Sequence, residues 1–171
     1  NVSGVAGTFV NFEVVSGGNG SDSLTVLSGT GVSTAWTISR ANGGEVAGLA
    51  FSSIETVRGG SGNDTFAILP GGSVARIEGG GGRDGVDYSA FDTSISVNLK
   101  GLSGTNVGSL VGITVVRGGR GSDQLTGNGG HELLIGEEGD DTLDGGEGND
   151  TLTGGLGQDV LIGGMALDCV V

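Results

Sequence analysis

The sequence predicts an all-β, right-handed parallel β-solenoid, with a regular C-terminal third and larger, irregular β-helical coils before it. Three observations predict it. Forty of the 171 residues are glycine and one is proline, the remainder is rich in Val, Ile, Leu and Thr, and a glycine-led nonapeptide recurs along the chain. Collagen would need glycine at every third position with abundant proline, and a flexible linker would be more polar. Seven aromatic residues give little material for a bulky core. A thin core repeated along one axis, with glycine in tight turns between short strands, fits instead. Helix content is expected to be close to none.

The repeat is clearest from Gly118, where the chain divides without insertion into GGRGSDQLT, GNGGHELLI, GEEGDDTLD, GGEGNDTLT, GGLGQDVLI and GGMALDCVV. The last is degenerate, with Ala166 where glycine is expected. Isolated copies lie upstream, as GGNGSDSLT from Gly17, GGSGNDTFA from Gly59 and GGGGRDGVD from Gly79. Three turns share a strand-like lead-in: Phe9, Phe12 and Val15 before Gly17; Phe51, Ile54 and Val57 before Gly59; Leu110, Ile113 and Val116 before Gly118. These patterns divide the chain into irregular coils with isolated turns over residues 1–117 and a tandem run over 118–171. The expected change is one of coil length, with no linker between the parts.

The nonapeptide, G-G-x-G-x-D-x-U-x with U a large apolar residue, resembles the RTX, or haemolysin-type, calcium-binding repeat and its parallel β-roll. The resemblance implies calcium as ligand, export by a type I secretion system and folding triggered outside the cell. The segment DYSAFDTSISVNL after the Gly79 turn also resembles parts of large bacterial surface and adhesin-like proteins.

Physical chemistry supports the first resemblance. Six residues rich in glycine can adopt the positive φ angles of a tight turn. The next three form a minimal strand with U inward. Leu125, Leu134, Leu143, Leu152, Leu161 and Val170 then stack into one narrow core. If two nonapeptides complete a coil, alternate repeats share an edge. Asp123, Asp141 and Asp159 fall on one edge, and Glu132, Asp150 and Asp168 on the other. Strand spacing sets carboxylates on one edge about 4.8 Å apart, where they repel by roughly 3.5 kcal/mol at an effective dielectric near 20. A cation reverses that sign. Carboxylates with turn carbonyls make an all-oxygen site, which favours calcium over zinc or copper. The competing reading is that each Asp only hydrogen-bonds turn amides.

Departures from the pattern set expectations too. Glu132 replaces Asp and Asn128 replaces the second glycine, so that level is expected to be the weaker one, with Asp141→Ala more damaging than Asp150→Ala or Glu132→Ala. Asp22, Asp64 and Asp84 are further candidate ligands in isolated turns. Their separations of 42, 20 and 39 residues between first glycines do not match an 18-residue coil and imply larger coils or insertions. Gly119, Gly121 and Glu137 lie in the same turns and are assigned no ligand role.

The net charge of −13 makes cations good partners and makes nucleic acid and anionic membranes poor ones. The charge is concentrated: residues 118–171 hold 11 acids and one Arg. Cys169 is the only cysteine, which excludes an internal disulfide and a thiolate cluster. No apolar run approaches the roughly 18 residues of a membrane span. No signal peptide is recognised, and Asn1-Val2-Ser3-Gly4 reads as a cut inside a larger protein.

Catalytic signals are weak. His131 is the only histidine and has no H-E-x-x-H or triad context, so it reads as a solvated turn residue. Asp87 and Asp92 flank Tyr88, but turn roles are commoner for such residues than paired carboxylate chemistry. Trp36 is expected to fill the core of a wider coil rather than to stack on sugars. The expected function is therefore non-catalytic: a calcium-binding structural module of a secreted or cell-surface protein (adhesin, surface-layer or filament-forming). Self-association or pairing with neighbouring coils is expected with it. The alternative is the non-catalytic C-terminal module of a type I-secreted protease, lipase or epimerase.

Overall fold

A computed structural model describes residues 14–26 and 31–171. Phe9 and Phe12 of the first lead-in lie outside the described residues. Short strands separated by glycine turns stack into two facing sheets, and no helix occurs among the described residues. One sheet has ten strands, in the order Val14–Ser16, Leu49–Ser52, Gly43–Val46, Ala35–Arg40, Thr65–Ile68, Asp84–Asp87, Ile113–Arg117, Leu133–Glu138, Thr151–Leu156 and Cys169–Val170. The other has nine, in the order Val160–Met165, Thr142–Glu147, Gln124–Thr126, Ser96–Asn98, Ser103–Gly104, Val107–Val111, Val74–Glu78, Thr56–Arg58 and Ser23–Thr25. The chain crosses repeatedly from one sheet to the other, which makes a β-solenoid.

In the tandem run all pairing is parallel. Val116 pairs with Leu134 and Leu134 with Leu152 in one sheet, while Leu125 pairs with Leu143 and Leu143 with Leu161 in the other. Two nonapeptides thus make a coil. Leu125, Leu134, Leu143 and Leu152 are fully buried, each stabilising the fold by about 1.5–3 kcal/mol. Leu161 is partly buried and Val170 half-exposed in the last coil.

The upstream coils depart from a purely parallel solenoid. Ala35–Arg40, Gly43–Val46 and Leu49–Ser52 form an antiparallel meander in the ten-stranded sheet. Ser96–Asn98, Ser103–Gly104 and Val107–Val111 form another in the nine-stranded sheet. Local turn chemistry causes the first. Ala47 and Gly48 form a two-residue loop with φ of 50° and 77°, the positive angles that close a right-twisted hairpin. Asn106, at φ 61°, helps close the second. These insertions account for the separations of 42 and 39 residues between turns. Each meander sets three strands in one sheet against one in the other, and because the two lie on opposite sheets, neither sheet outgrows its partner.

The shared lead-in packs inward in both described complete copies. Phe51, Ile54 and Val57 are buried, as are Leu110, Ile113 and Val116. Trp36 is a core residue, stacked on Phe66 at 5.7 Å and edge-on to Phe51 at 5.8 Å between ring centres. Tyr88 is also buried; its hydroxyl donates to the Thr105 carbonyl at 2.9 Å, and burial pushes its pKa up.

Candidate metal centre

The strand–turn–strand path fixes where each sixth-position acid falls. On one edge Asp123, Asp141 and Asp159 stack; on the other, Glu132, Asp150 and Asp168 do. A directional ladder joins them. The Asp123 N–H donates to Asp141 Oδ1 at 2.7 Å, and the Asp141 N–H to Asp159 Oδ1 at 2.9 Å. Across the roll, the Glu132 N–H donates to Asp150 Oδ1 at 2.8 Å and the Asp150 N–H to Asp168 Oδ1 at 3.0 Å. Each of these bonds spans 18 residues, one coil. Asp141, Asp150, Asp159 and Asp168 thus each cap an amide of the coil before; Glu132 does not, its Oε2 accepting instead from the Asn128 N–H of its own turn at 3.1 Å.

The isolated turns obey the same rule over longer coils. Asp64 Oδ1 accepts from the Thr34 N–H, Asp84 Oδ1 from the Asp64 N–H and Asp123 Oδ1 from the Ile95 N–H, across 30, 20 and 28 residues. Asp22 is only partly buried, and its Oδ2 accepts from the Gly18 N–H at 2.7 Å. Its own N–H is capped by Glu55 Oε2 at 2.8 Å. Glu55 has no signal in the sequence, because its turn lacks the glycine phrase.

Hydrogen bonding to turn amides is therefore real, but it does not satisfy the carboxylates. Asp123 uses both oxygens, its Oδ2 accepting from the Gly119 N–H at 2.8 Å. By contrast, Asp141 Oδ2, Asp150 Oδ2, Glu132 Oε1 and Asp84 Oδ2 are buried with no partner. A buried, unpaired carboxylate oxygen costs several kcal/mol in effective terms. Burial raises the pKa of Asp84, Asp123, Glu132 and Asp141, and amide hydrogen bonds pull each of them part of the way back. Neighbouring acids raise three further: Asp64 acts on Asp84, Asp150 on Glu132, and Asp123, Asp159 and Asp140 on Asp141.

The first glycine of each turn makes room for this arrangement. A Cβ on Gly136 would collide with Asp141 Oδ2 and approach the Gly154 carbonyl to 2.6 Å; one on Gly118 would meet Asp123 Oδ2 and the Gly136 carbonyl. Second and fourth positions supply the turn. Gly146 and Gly148 have φ of 96° and 108°, and Glu137 holds the left-handed region at 83°, paired with Arg117. Gly119 and Gly121 are not at positive φ, so the first turns of the run differ in backbone from the later ones.

Fifth positions form a second ladder that sequence reading missed. Here a side chain accepts from the fifth-position amide of the next coil. His131 Nδ1 accepts from the Asn149 N–H at 2.8 Å, Asp140 Oδ1 from Gln158 at 2.8 Å and Asn149 Oδ1 from Leu167 at 3.2 Å. The recurrence of Ser122, His131, Asp140 and Asn149 at one register was the available signal. Asp87 closes a local turn by accepting from the Ser89 N–H, and Asp92 pairs with Arg120 on the surface.

Among the described residues no three His, Cys, Asp or Glu side chains converge on one point. The potential donor set consists of stacked carboxylates and glycine carbonyls. Buried unpartnered anionic oxygens beside carbonyls fit hard divalent cations, with Asp141 best placed to hold one on its edge and Glu132 and Asp150 on the other. No helix among the described residues is long and apolar enough to cross a membrane. No curated protein matches the chain. The family model described as RTX calcium-binding nonapeptide repeat (4 copies) matches residues 50–67, 111–143 and 135–165. Residues 50–67 and 111–165 are therefore RTX repeats, whose ligand is calcium.

Proposed function

We propose that this chain is a calcium-dependent structural module of a secreted or cell-surface bacterial protein, a spacer or assembly element without a catalytic centre. The observation that carries this reading is the pair of stacked acid ladders with buried, unpartnered oxygens. Such a fold is disfavoured where calcium is scarce, as in the cytosol. It is favoured outside the cell, where modules of this kind bind calcium at about 10⁻⁴–10⁻³ M. The side chains that could have suggested catalysis already have structural partners: His131 caps an amide, Asp87 closes a turn and Asp92 is ion-paired. Self-association is part of this reading, supported by exposed Val160, Ile162 and Val170 in the last coil, an apolar surface that a further coil or second copy would cover.

Circular dichroism in chelator and after adding millimolar calcium tests the proposal. The expected result is a gain of β signal with calcium and much less with magnesium. An identical, cooperatively melting spectrum in both conditions would overturn it.

A further inference from the structure

The chain holds three Asn-Gly pairs, Asn19-Gly20, Asn42-Gly43 and Asn128-Gly129. Such a pair is open to intramolecular attack, because glycine presents no side chain to shield its nitrogen from the amide carbon of the asparagine before it. The structure treats the three differently. Asn42 is locked: it sits at φ 50°, its N–H donates to the Ser73 carbonyl at 2.7 Å, and its Nδ2 donates to Glu55 Oε1 at 2.9 Å. Asn19 is exposed in the Gly17–Asp22 turn. Asn128 has its side-chain amide folded back on the backbone that follows it.

Asn128 Oδ1 accepts from the Gly129 N–H at 2.5 Å and from the Gly130 N–H at 2.9 Å. The first contact holds the side-chain amide against the nitrogen that can attack it. The second sets a donor where negative charge develops as that nitrogen adds to the carbonyl. Gly129 is exposed and uncrowded: only Glu147 Oε2 comes near, 4.0 Å from where a Cβ would stand. On its inner side the same turn is acidic. Glu132 Oε1 is buried without a partner and lies 2.6 Å from the Cβ position of Gly130, with Asn128 Oδ1 3.4 Å from that same point. The Asn128 side chain therefore neighbours the unsatisfied carboxylate of its own turn, the one tandem turn without Asp at the sixth position.

We propose that Asn128-Gly129 is a self-modification site, at which the turn converts its own asparagine into a second carboxylate beside Glu132. Hydroxide removes the Gly129 amide proton, the nitrogen bonds to Asn128 Cγ, and the Cγ–Nδ2 bond breaks with release of ammonia. Water then opens the cyclic imide. Cleavage of the new Cγ–N bond leaves aspartate in an unchanged main chain; cleavage of the original C–N bond leaves isoaspartate, whose main chain is one carbon longer. Either product adds a negative charge, and no enzyme is needed, so the charge accumulates with the age of the chain. Without an ion it repels the Glu132 carboxylate, and with a cation it is attracted, so the aspartate form folds at a lower calcium concentration. That consequence rests on the calcium reading of the repeats; the chemistry at Asn128 does not.

The test incubates the full chain with calcium at mildly alkaline pH and follows each asparagine by peptide mapping with mass spectrometry. Conversion is expected at Asn128 ahead of Asn42 and no slower than at Asn19. Gly129→Ala puts a methyl group into open space and shields the nitrogen, so it should slow conversion at Asn128 several-fold and leave Asn19 as it was. An intact Asn128 while Asn19 converts, or an undiminished rate in Gly129→Ala, would overturn the modification; the comparison with Asn19 decides alone if the variant does not fold. Asn128→Asp reproduces the product, and its β signal should reach its midpoint at a lower calcium concentration than the parent's. An unchanged midpoint would overturn the effect of the new charge on folding. A parent chain with no calcium response would overturn the calcium reading of the repeats, and the mapping would still decide the modification.

Discussion

Residues 118–171 and the coils before them share two continuous sheets and one line of inward side chains, but they fill that line differently. Upstream, Trp36, Phe51, Phe66, Tyr88 and Phe91 are buried with several Ile and Val residues. Downstream the core is a file of leucines, one per half-coil. Charge differs in the same direction: 9 acids and 6 bases upstream against 11 acids and one Arg downstream. Upstream acids find cations in the chain, as in the pairs Arg58–Glu78 and Arg76–Glu78, each worth at most about 1 kcal/mol at the surface. Downstream acids outnumber any such partners. A longer coil can hold aromatic side chains and be stabilised by burial. An 18-residue coil has room for little more than two leucines, so it depends more on an ion from solution.

Calcium removal should expose that difference most strongly. In chelator, amide hydrogen exchange is expected to be fast throughout 118–171 and slower around Trp36, Phe51 and Phe66. Uniform protection of the two regions would erase the contrast.

Glycine substitutions sharpen it next. Gly136→Ala drives a methyl group into Asp141 Oδ2 and the Gly154 carbonyl, and should destabilise the calcium form by about 1–3 kcal/mol. Gly129 sits at a third position with only Glu147 Oε2 near, at 4.0 Å, so Gly129→Ala should stay within about 0.5 kcal/mol. Thermal melting of both variants in calcium measures the gap, and equal melting temperatures would count against the first glycine's role in seating the carboxylate.

These two glycines also show what the sequence discloses. The nonapeptide register placed the leucine column, the two edges and the carboxylates stacked on each, because one short period repeats without insertion. It did not disclose the meanders, which depend on local loops such as Ala47-Gly48 rather than on any period. Glu55 and the fifth-position ladder were hidden for a related reason. Both act across coils on backbone amides, and a backbone amide leaves no mark in a sequence pattern. The relative weight of the acids is not written in the register either. Asp141 Oδ2 and Asp150 Oδ2 are alike buried and unpartnered, and Glu132 Oε1 shares that state although Glu132 caps no amide of the coil before it.

The middle acids of the two edges should therefore be equivalent. Asp141→Ala and Asp150→Ala are each expected to lower calcium affinity by a similar factor, and both by more than Asp159→Ala, whose carboxylate lies in the last turn of its edge. Calorimetric titration of the three variants gives the ranking. A loss for Asp150→Ala no larger than for Asp159→Ala would restore the view that Glu132 breaks its level.

Acid should partly replace calcium, in the tandem run more than upstream. Burial raises the carboxyl pKa of Asp123, Glu132 and Asp141 in the folded chain above the ordinary 3.8 for Asp and 4.5 for Glu. The ion-free folded state then holds these protons more tightly than the unfolded chain does. Their contribution to stability is complete below the ordinary values and is lost as pH rises through the raised ones. Lowering the pH from 7 in chelator should thus increase β signal, whereas an acid ladder whose pKa values were depressed would lose it. Protons and calcium compete for the same oxygens, so the calcium midpoint should move to higher concentration over the same range. Calcium titrations followed by circular dichroism at pH 7 and at pH 5 test both signs together. A chelated chain that loses structure on acidification would show that the amide ladder, rather than burial, governs these carboxylates.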